Sequence, residues 1–126
     1  MAKIYNPRFE TMARKELEAL QLKRLQDMVD YCIKRVPFYK EKLTAAGIVS
    51  GKQIETLADI AKIPFTTKED IRDNYPDGFL AVPKREVVRI HASSGTTGKP
   101  TIMRYTQKDM DVWADASARV LCLNGV

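Results

Sequence analysis

Two short apolar runs, Val87–His91 and Thr101–Tyr105, flank the polar stretch Ser93-Ser94-Gly95-Thr96-Thr97-Gly98-Lys99-Pro100. Runs of this kind suit strands, and a connection of this length most simply joins them as antiparallel neighbours. The stretch therefore predicts the tip of a hairpin. Its composition also limits what that tip can do. Glycines let backbone N–H groups turn toward an anion, hydroxyls donate hydrogen bonds, and a lysine supplies a mobile positive charge. Together they suit a cradle for a polyphosphate. A merely polar loop uses the same residue types, so order and spacing have to decide between the two.

The spacing excludes two common nucleotide loops. A Walker A motif places four residues between its first glycine and the Gly-Lys pair, and follows the lysine with Ser or Thr. Here Gly95 and Gly98 stand closer, and Pro100 follows Lys99, removing a backbone donor and stiffening the exit. The Gly-x-Gly-x-x-Gly dinucleotide fingerprint is absent as well.

Upstream, the chain reads as helices. Leu17, Leu20, Leu25, Met28, Cys32 and Val36 recur close to the 3.6-residue period, predicting an amphipathic helix from about Arg14 to Arg35. Pro37 stops it and can open the next helix, through Phe38, Tyr39, Leu43 and Ala46, with Gly47 as a left-handed C-cap. Thr56-Leu57-Ala58-Asp59 and Thr67-Lys68-Glu69-Asp70 each place a hydroxyl three residues before a carboxylate, predicting two short capped helices separated by Pro64. Tyr75-Pro76-Asp77-Gly78 reads as a turn. After the hairpin, Thr106 and Asp109 cap a last helix through Met110, Trp113, Val120 and Leu121, closed by Asn124-Gly125.

The expected fold class is mostly α, of α+β type: N-terminal helices, then a β-hairpin carrying the loop, then one helix. The expected division is 1–84 as a helical region and 85–126 as the start of a second domain. Two strands and a helix offer too little surface to close an α/β layer of their own.

Composition narrows the partners. Among 126 residues, Lys and Arg exceed Asp and Glu to give a net charge of +5. The charges are interleaved, as in Lys68-Glu69-Asp70-Ile71-Arg72, and no basic stretch is stacked with aromatics, so no nucleic-acid footprint is expected. No apolar run approaches the roughly 20 residues of a membrane span, and Met1–Pro7 lacks the apolar core of a secretory signal. Cys32 and Cys122 are far apart and there is one histidine, so neither a metal site nor a disulfide framework is expected, and the cytoplasm is the natural compartment.

The order Ser93-Ser94-Gly95-Thr96-Thr97-Gly98-Lys99-Pro100-Thr101 resembles the phosphate-binding motif of the adenylate-forming enzymes, and within them the phenylacetate-CoA ligase family. Three further stretches are similar to that family in the same order: Val36-Pro37-Phe38-Tyr39, Leu57 to Pro76 including Ile63-Pro64-Phe65-Thr66-Thr67-Lys68, and Val87–Ala92. The resemblance implies a two-step ligase in which ATP and an aryl acetate give an acyl-adenylate and pyrophosphate, after which coenzyme A displaces AMP. It implies that Ser93, Ser94, Gly95, Thr96, Thr97, Gly98 and Lys99 handle the β- and γ-phosphates, with Mg2+ bridging them. It also implies a length several times that of this chain. The expectation is therefore an N-terminal portion of such an enzyme, inert alone, without the adenine and aryl pockets or the later catalytic lysine.

Other residues invite weaker readings. His91 lies two residues before Ser93, yet no acidic orienter can be named for it, which favours a loop-supporting role. Ser93 and Ser94 lack the Gly-x-Ser-x-Gly elbow of a nucleophile. Trp113 with the Met110, Val120 and Leu121 face reads as core, and Phe38-Tyr39 as helix packing. The apolar helical face also leaves room for a homodimer through the N-terminal helices. The alternative to a ligase portion is a small, non-catalytic helical interaction module.

Overall fold

A computed structural model describes residues 3–93 and 101–125. Along the chain run α1 (Pro7–Glu10), α2 (Arg14–Arg35), α3 (Pro37–Ala45), α4 (Lys68–Asp73), the strands β1 (Val87–Ala92) and β2 (Ile102–Thr106), and α5 (Gln107–Leu123). Short 3-10 segments lie at Gly51–Gln53, Leu57–Lys62 and Lys84–Glu86. The architecture is mostly helical with one two-stranded antiparallel sheet, as the sequence predicts.

α2 ends where Pro37 requires it to. Val36 is extended at φ −124°, ψ 106°, because the proline ring clashes with a helical predecessor. Pro37 then starts α3 at its first turn, where its missing N–H costs nothing. At the far end Gly47 adopts φ +79°, and the Ile48 N–H donates to Leu43 O at 2.8 Å, closing the helix with the reversed turn that favours glycine.

The core lies between α2, α3 and the turn that follows them. Val29, Leu43, Ile48 and Ile54 are buried together, with Leu22, Leu25, Cys32, Ile33 and Tyr39 packed around them. The inward stripe of α2 is thus Leu22, Leu25, Val29 and Cys32, with Val36 buried just past its end. Met28 belongs to the outer face and is 58% exposed, a correction of one residue to the periodicity. Ile54 is fully buried, and removing such a side chain from water stabilises the fold by roughly 1.5–3 kcal/mol.

A three-residue turn unforeseen in the sequence fastens this core. The Gly51 N–H donates to Asp30 Oδ1 at 2.7 Å, and Gln26 Nε2 donates to Ile54 O at 2.8 Å. The approach to α2 is so close that a Cβ on Gly51 would stand 2.1 Å from Gln26 O. Glycine is required there by contact rather than by φ. The segment Leu57–Lys62, expected as an ordinary short helix, is instead a 3-10 turn, although Thr56 and Asp59 form the anticipated capping box. α4 forms with its Thr67–Asp70 box intact.

Ring contacts join Phe38 and Tyr39 of α3 to Phe79, at centroid distances of 4.7 and 5.4 Å. Lys42 lies over Phe38 and pairs with Asp70 at 2.5 Å. These contacts fix the segment that leads into the hairpin. At the other side Phe9 of α1 sits between Arg24 of α2 and Arg119 of α5, each guanidinium within 5.4 Å of the ring centre. Asn6 Nδ2 donates to Asp115 Oδ1 at 3.0 Å. The N-terminal turn therefore ties the helical part to the last helix.

Candidate functional site

The hairpin is in register from Arg89 opposite Tyr105 to Ala92 opposite Ile102, with an irregularity between Val87 and Arg89. One step beyond the last pair, the Ser93 N–H donates to Thr101 O at 3.0 Å and closes the base of the loop. Ser93 and Thr101 are thus held opposite each other by the strands. Of the sequence-predicted phosphate ligands, Ser93 is placed at this base. Ser94, Gly95, Thr96, Thr97, Gly98 and Lys99 lie outside the described residues. Thr101 Oγ1 is buried and, among the described residues, has no hydrogen-bond partner.

Each face of the hairpin is held by a different neighbour. Arg104 on β2 donates to the carbonyl of Pro76 and pairs with Asp77 at 2.8 Å, while Lys84 reaches the same carboxylate at 2.6 Å. Lys84 and Arg104 hold the Asp77 carboxyl below the usual carboxylate range, Lys84 contributing most. Asp77 therefore works as an anchor for the strand that follows the loop. Nothing in the sequence announced this, since Asp77 and Arg104 are far apart in the chain.

On the opposite face, His91 and Tyr105 meet Trp113 of α5. The ring centroids lie 5.1 Å (His91–Tyr105), 5.4 Å (His91–Trp113) and 5.6 Å (Tyr105–Trp113) apart. Edge-to-face contacts of this sort are worth about 0.5–1.5 kcal/mol beyond the area they cover. Among the described residues no carboxylate orients His91. Its place between two aromatic rings is that of a support for the hairpin and gives no sign of a general base.

α5 begins on the predicted box, with Asp109 Oδ2 accepting from the Thr106 N–H at 2.8 Å and from Thr106 Oγ1 at 2.7 Å. Its predicted core face is only partly covered. Trp113, Val120 and Leu121 are 44%, 59% and 52% exposed. An open groove of about 420 Å³ runs beside them over Ala116 and Ser117. Strand residues Val88 and Ile90 are more than half exposed as well. The expectation that Trp113 with the Met110, Val120 and Leu121 face forms a core is met only in part: Met110 is half-buried, while Trp113, Val120 and Leu121 remain exposed.

Among the described residues no three metal-ligating side chains come together, and no helix is long and apolar enough to cross a membrane. Cys32 and Cys122 are unpaired, and burial pushes the Cys32 thiol up, which keeps it protonated.

No protein-family model matches the chain. Its sequence is 51% identical over 122 residues to a phenylacetate-coenzyme A ligase of Thermus thermophilus, covering 97% of this chain and 27% of the relative. It is 52% identical over 112 residues to the phenylacetate-coenzyme A ligase of Escherichia coli, covering 89% of this chain and 25% of that one. The fold superposes on a crystal structure of 2-hydroxyisobutyryl-CoA ligase in complex with 2-HIB-AMP and CoA, with a TM-score of 0.83 and 35% identity. That match covers 92% of this chain and 25% of the ligase. The chain spans about a quarter of the length of the relatives it matches.

Proposed function

This chain belongs to the phenylacetate-CoA ligase family, and from that membership we propose that it supplies the phosphate-binding wall of an aryl acetate–CoA ligase. The observation that carries the reading is the place of the Ser93–Lys99 sequence. It sits between two paired strands whose base is closed by the Ser93–Thr101 hydrogen bond, in a chain half identical to ligases of that activity.

The chemistry divides the work. In the first step a carboxylate oxygen of the aryl acetate attacks the α-phosphorus of ATP, the bond to the bridging oxygen breaks, and pyrophosphate leaves with the electron pair. In the second, the sulfur of coenzyme A attacks the carbonyl carbon of the acyl-adenylate and AMP departs. Negative charge builds on the β-phosphate in the first step. Backbone N–H groups at Gly95 and Gly98, the hydroxyls of Ser93, Ser94, Thr96 and Thr97, and the ammonium of Lys99 are the groups this chain offers to receive it. Donors aimed at charge that develops in the transition state accelerate the step, whereas uniform binding of ATP would not.

Mg2+ would neutralise phosphate charge and travel with the nucleotide. The adenine, the aryl acid and coenzyme A would be held by parts of the ligase outside the matched quarter. On this reading residues 1–84 are a helical support and 85–126 the beginning of the adenylation domain. The cytoplasm, where ATP and coenzyme A are abundant and thiols stay free, is its compartment.

The loop can be tested apart from the whole reaction. Titration of the full chain with tripolyphosphate, followed by backbone amide NMR, is expected to move Ser93–Lys99 most, and Lys99→Ala is expected to weaken the response by at least ~10-fold, as befits the loss of a charge-assisted contact. Shifts spread over surface lysines, unchanged by Lys99→Ala, would overturn the assignment.

A further inference from the structure

Outside the loop, the largest unexplained feature is the exposed apolar face of α5. Val112, Val120 and Leu123 are 63%, 59% and 64% exposed. From Val112 to Ala118 the helix carries one charged residue, Asp115, and that carboxylate is turned to Asn6 and Arg119. Small side chains at Ala116 and Ser117 leave the groove beside Trp113, Val120 and Leu121 open. The helical part is different in kind, with Val29, Leu43, Ile48 and Ile54 all at or below 4% exposure. A two-stranded sheet with one helix is marginal without further cover.

We propose that this face is a docking surface for the portion of a phenylacetate-CoA ligase that lies outside the quarter matched here, and that the portion binds even when supplied as a separate chain. The proposal rests on the ligase reading of the preceding subsection. The occupant follows from the lengths. The chain superposes on 2-hydroxyisobutyryl-CoA ligase over 92% of its length at a TM-score of 0.83 and accounts for a quarter of that ligase. The remaining three quarters are the protein available to cover the face there. A helix face rich in Val, Leu and Trp with small residues at its centre is suited to be buried by another protein layer. Docking would also set the loop, which springs from the same two strands, against the rest of the nucleotide site.

The experiment co-expresses the full chain with the part of the Thermus thermophilus ligase that it does not match, and measures mass and affinity by sedimentation. A one-to-one heterodimer is expected. Val120→Asp should weaken it by at least ~10-fold, because docking would bury an unpaired charge. Leu121→Asp should do the same, with circular dichroism confirming that each variant keeps its helices. Lys99→Ala should leave the complex intact and remove ATP-dependent thioester formation. A complex without any such chemistry would support docking while sinking the ligase reading. A chain that stays monomeric, that pairs with itself instead, or whose heterodimer ignores both aspartates would overturn the docking proposal.

Discussion

The helical part around α2 and α3 and the hairpin part around β1, β2 and α5 are built with equally clear local signals, yet they reach different degrees of closure. In the first, a proline, a glycine cap and a fitted glycine contact bring four side chains into a common core. In the second, a capping box and an antiparallel ladder form the elements, but no residue of either strand or of α5 is fully buried. Local sequence determines which elements form, and burial depends on what lies against them. The region carrying the proposed phosphate loop is the open one. A nucleotide site needs walls from more than one side, and on the proposed reading this part presents one of them.

Mutations can break this contrast. Ile54→Ala should cost about 2–5 kcal/mol, since the site is fully enclosed and collapses poorly. Ile90→Ala, at 59% exposure, should stay within about 0.5 kcal/mol. Urea denaturation of the two variants side by side checks the pair, and similar losses would erase the distinction. Gly51→Ala comes next, at about 1–3 kcal/mol. Its Cβ would collide with the backbone of Gln26, so the turn must lift from α2 and give up its bond to Asp30. Amide exchange should show Gly51 losing protection in that variant while the hairpin amides keep theirs.

The smallest effect is electrostatic. The Lys62 side chain, and then the Thr56 N–H, hold the Asp59 carboxyl down to about 2, below the ordinary value of about 3.9. A depressed carboxylate contributes stability that is fully present above its unfolded value and is lost as pH falls through the folded one. The contribution should therefore stand at neutral pH and fade between about pH 4 and pH 2. A carboxyl-detected NMR titration should place the Asp59 midpoint near 2. Asp59→Asn should flatten the pH dependence of stability over that window. An Asp59 midpoint at the ordinary value would mean that neither the Lys62 pair nor the Thr56 N–H holds the carboxylate.

Much of this fold was legible in the sequence because its punctuation is local. Pro37, Gly47, Thr67 with Asp70, and Thr106 with Asp109 each act within one turn of the residues they organise. What escaped depends on distance. Periodicity alone could not choose Val29 over Met28, since the two are adjacent and both apolar. Gly51 gives no local sign of its role, because the role is contact with a helix far upstream. Asp77 and Arg104 meet only once the hairpin has folded back. The apolar face of α5 was expected to be core from its pattern, and the pattern is that of a buried face. Among the described residues that face is covered only in part. For the site, the motif order pointed to the loop and the family, and the structure adds the closed base at Ser93 and Thr101, while Ser94–Lys99 lie outside the described residues.

On the proposed reading this chain can serve as one quarter of a working aryl acetate–CoA ligase. Replacing the matched quarter of the Thermus thermophilus ligase by this chain, and measuring ATP- and phenylacetate-dependent thioester formation, tests it most directly. The chimera should make the thioester, and Lys99→Ala within it should lower the rate roughly 10²-fold or more, as removal of a group that stabilises developing charge does. A folded chimera without activity, or one indifferent to Lys99→Ala, would contradict the claim.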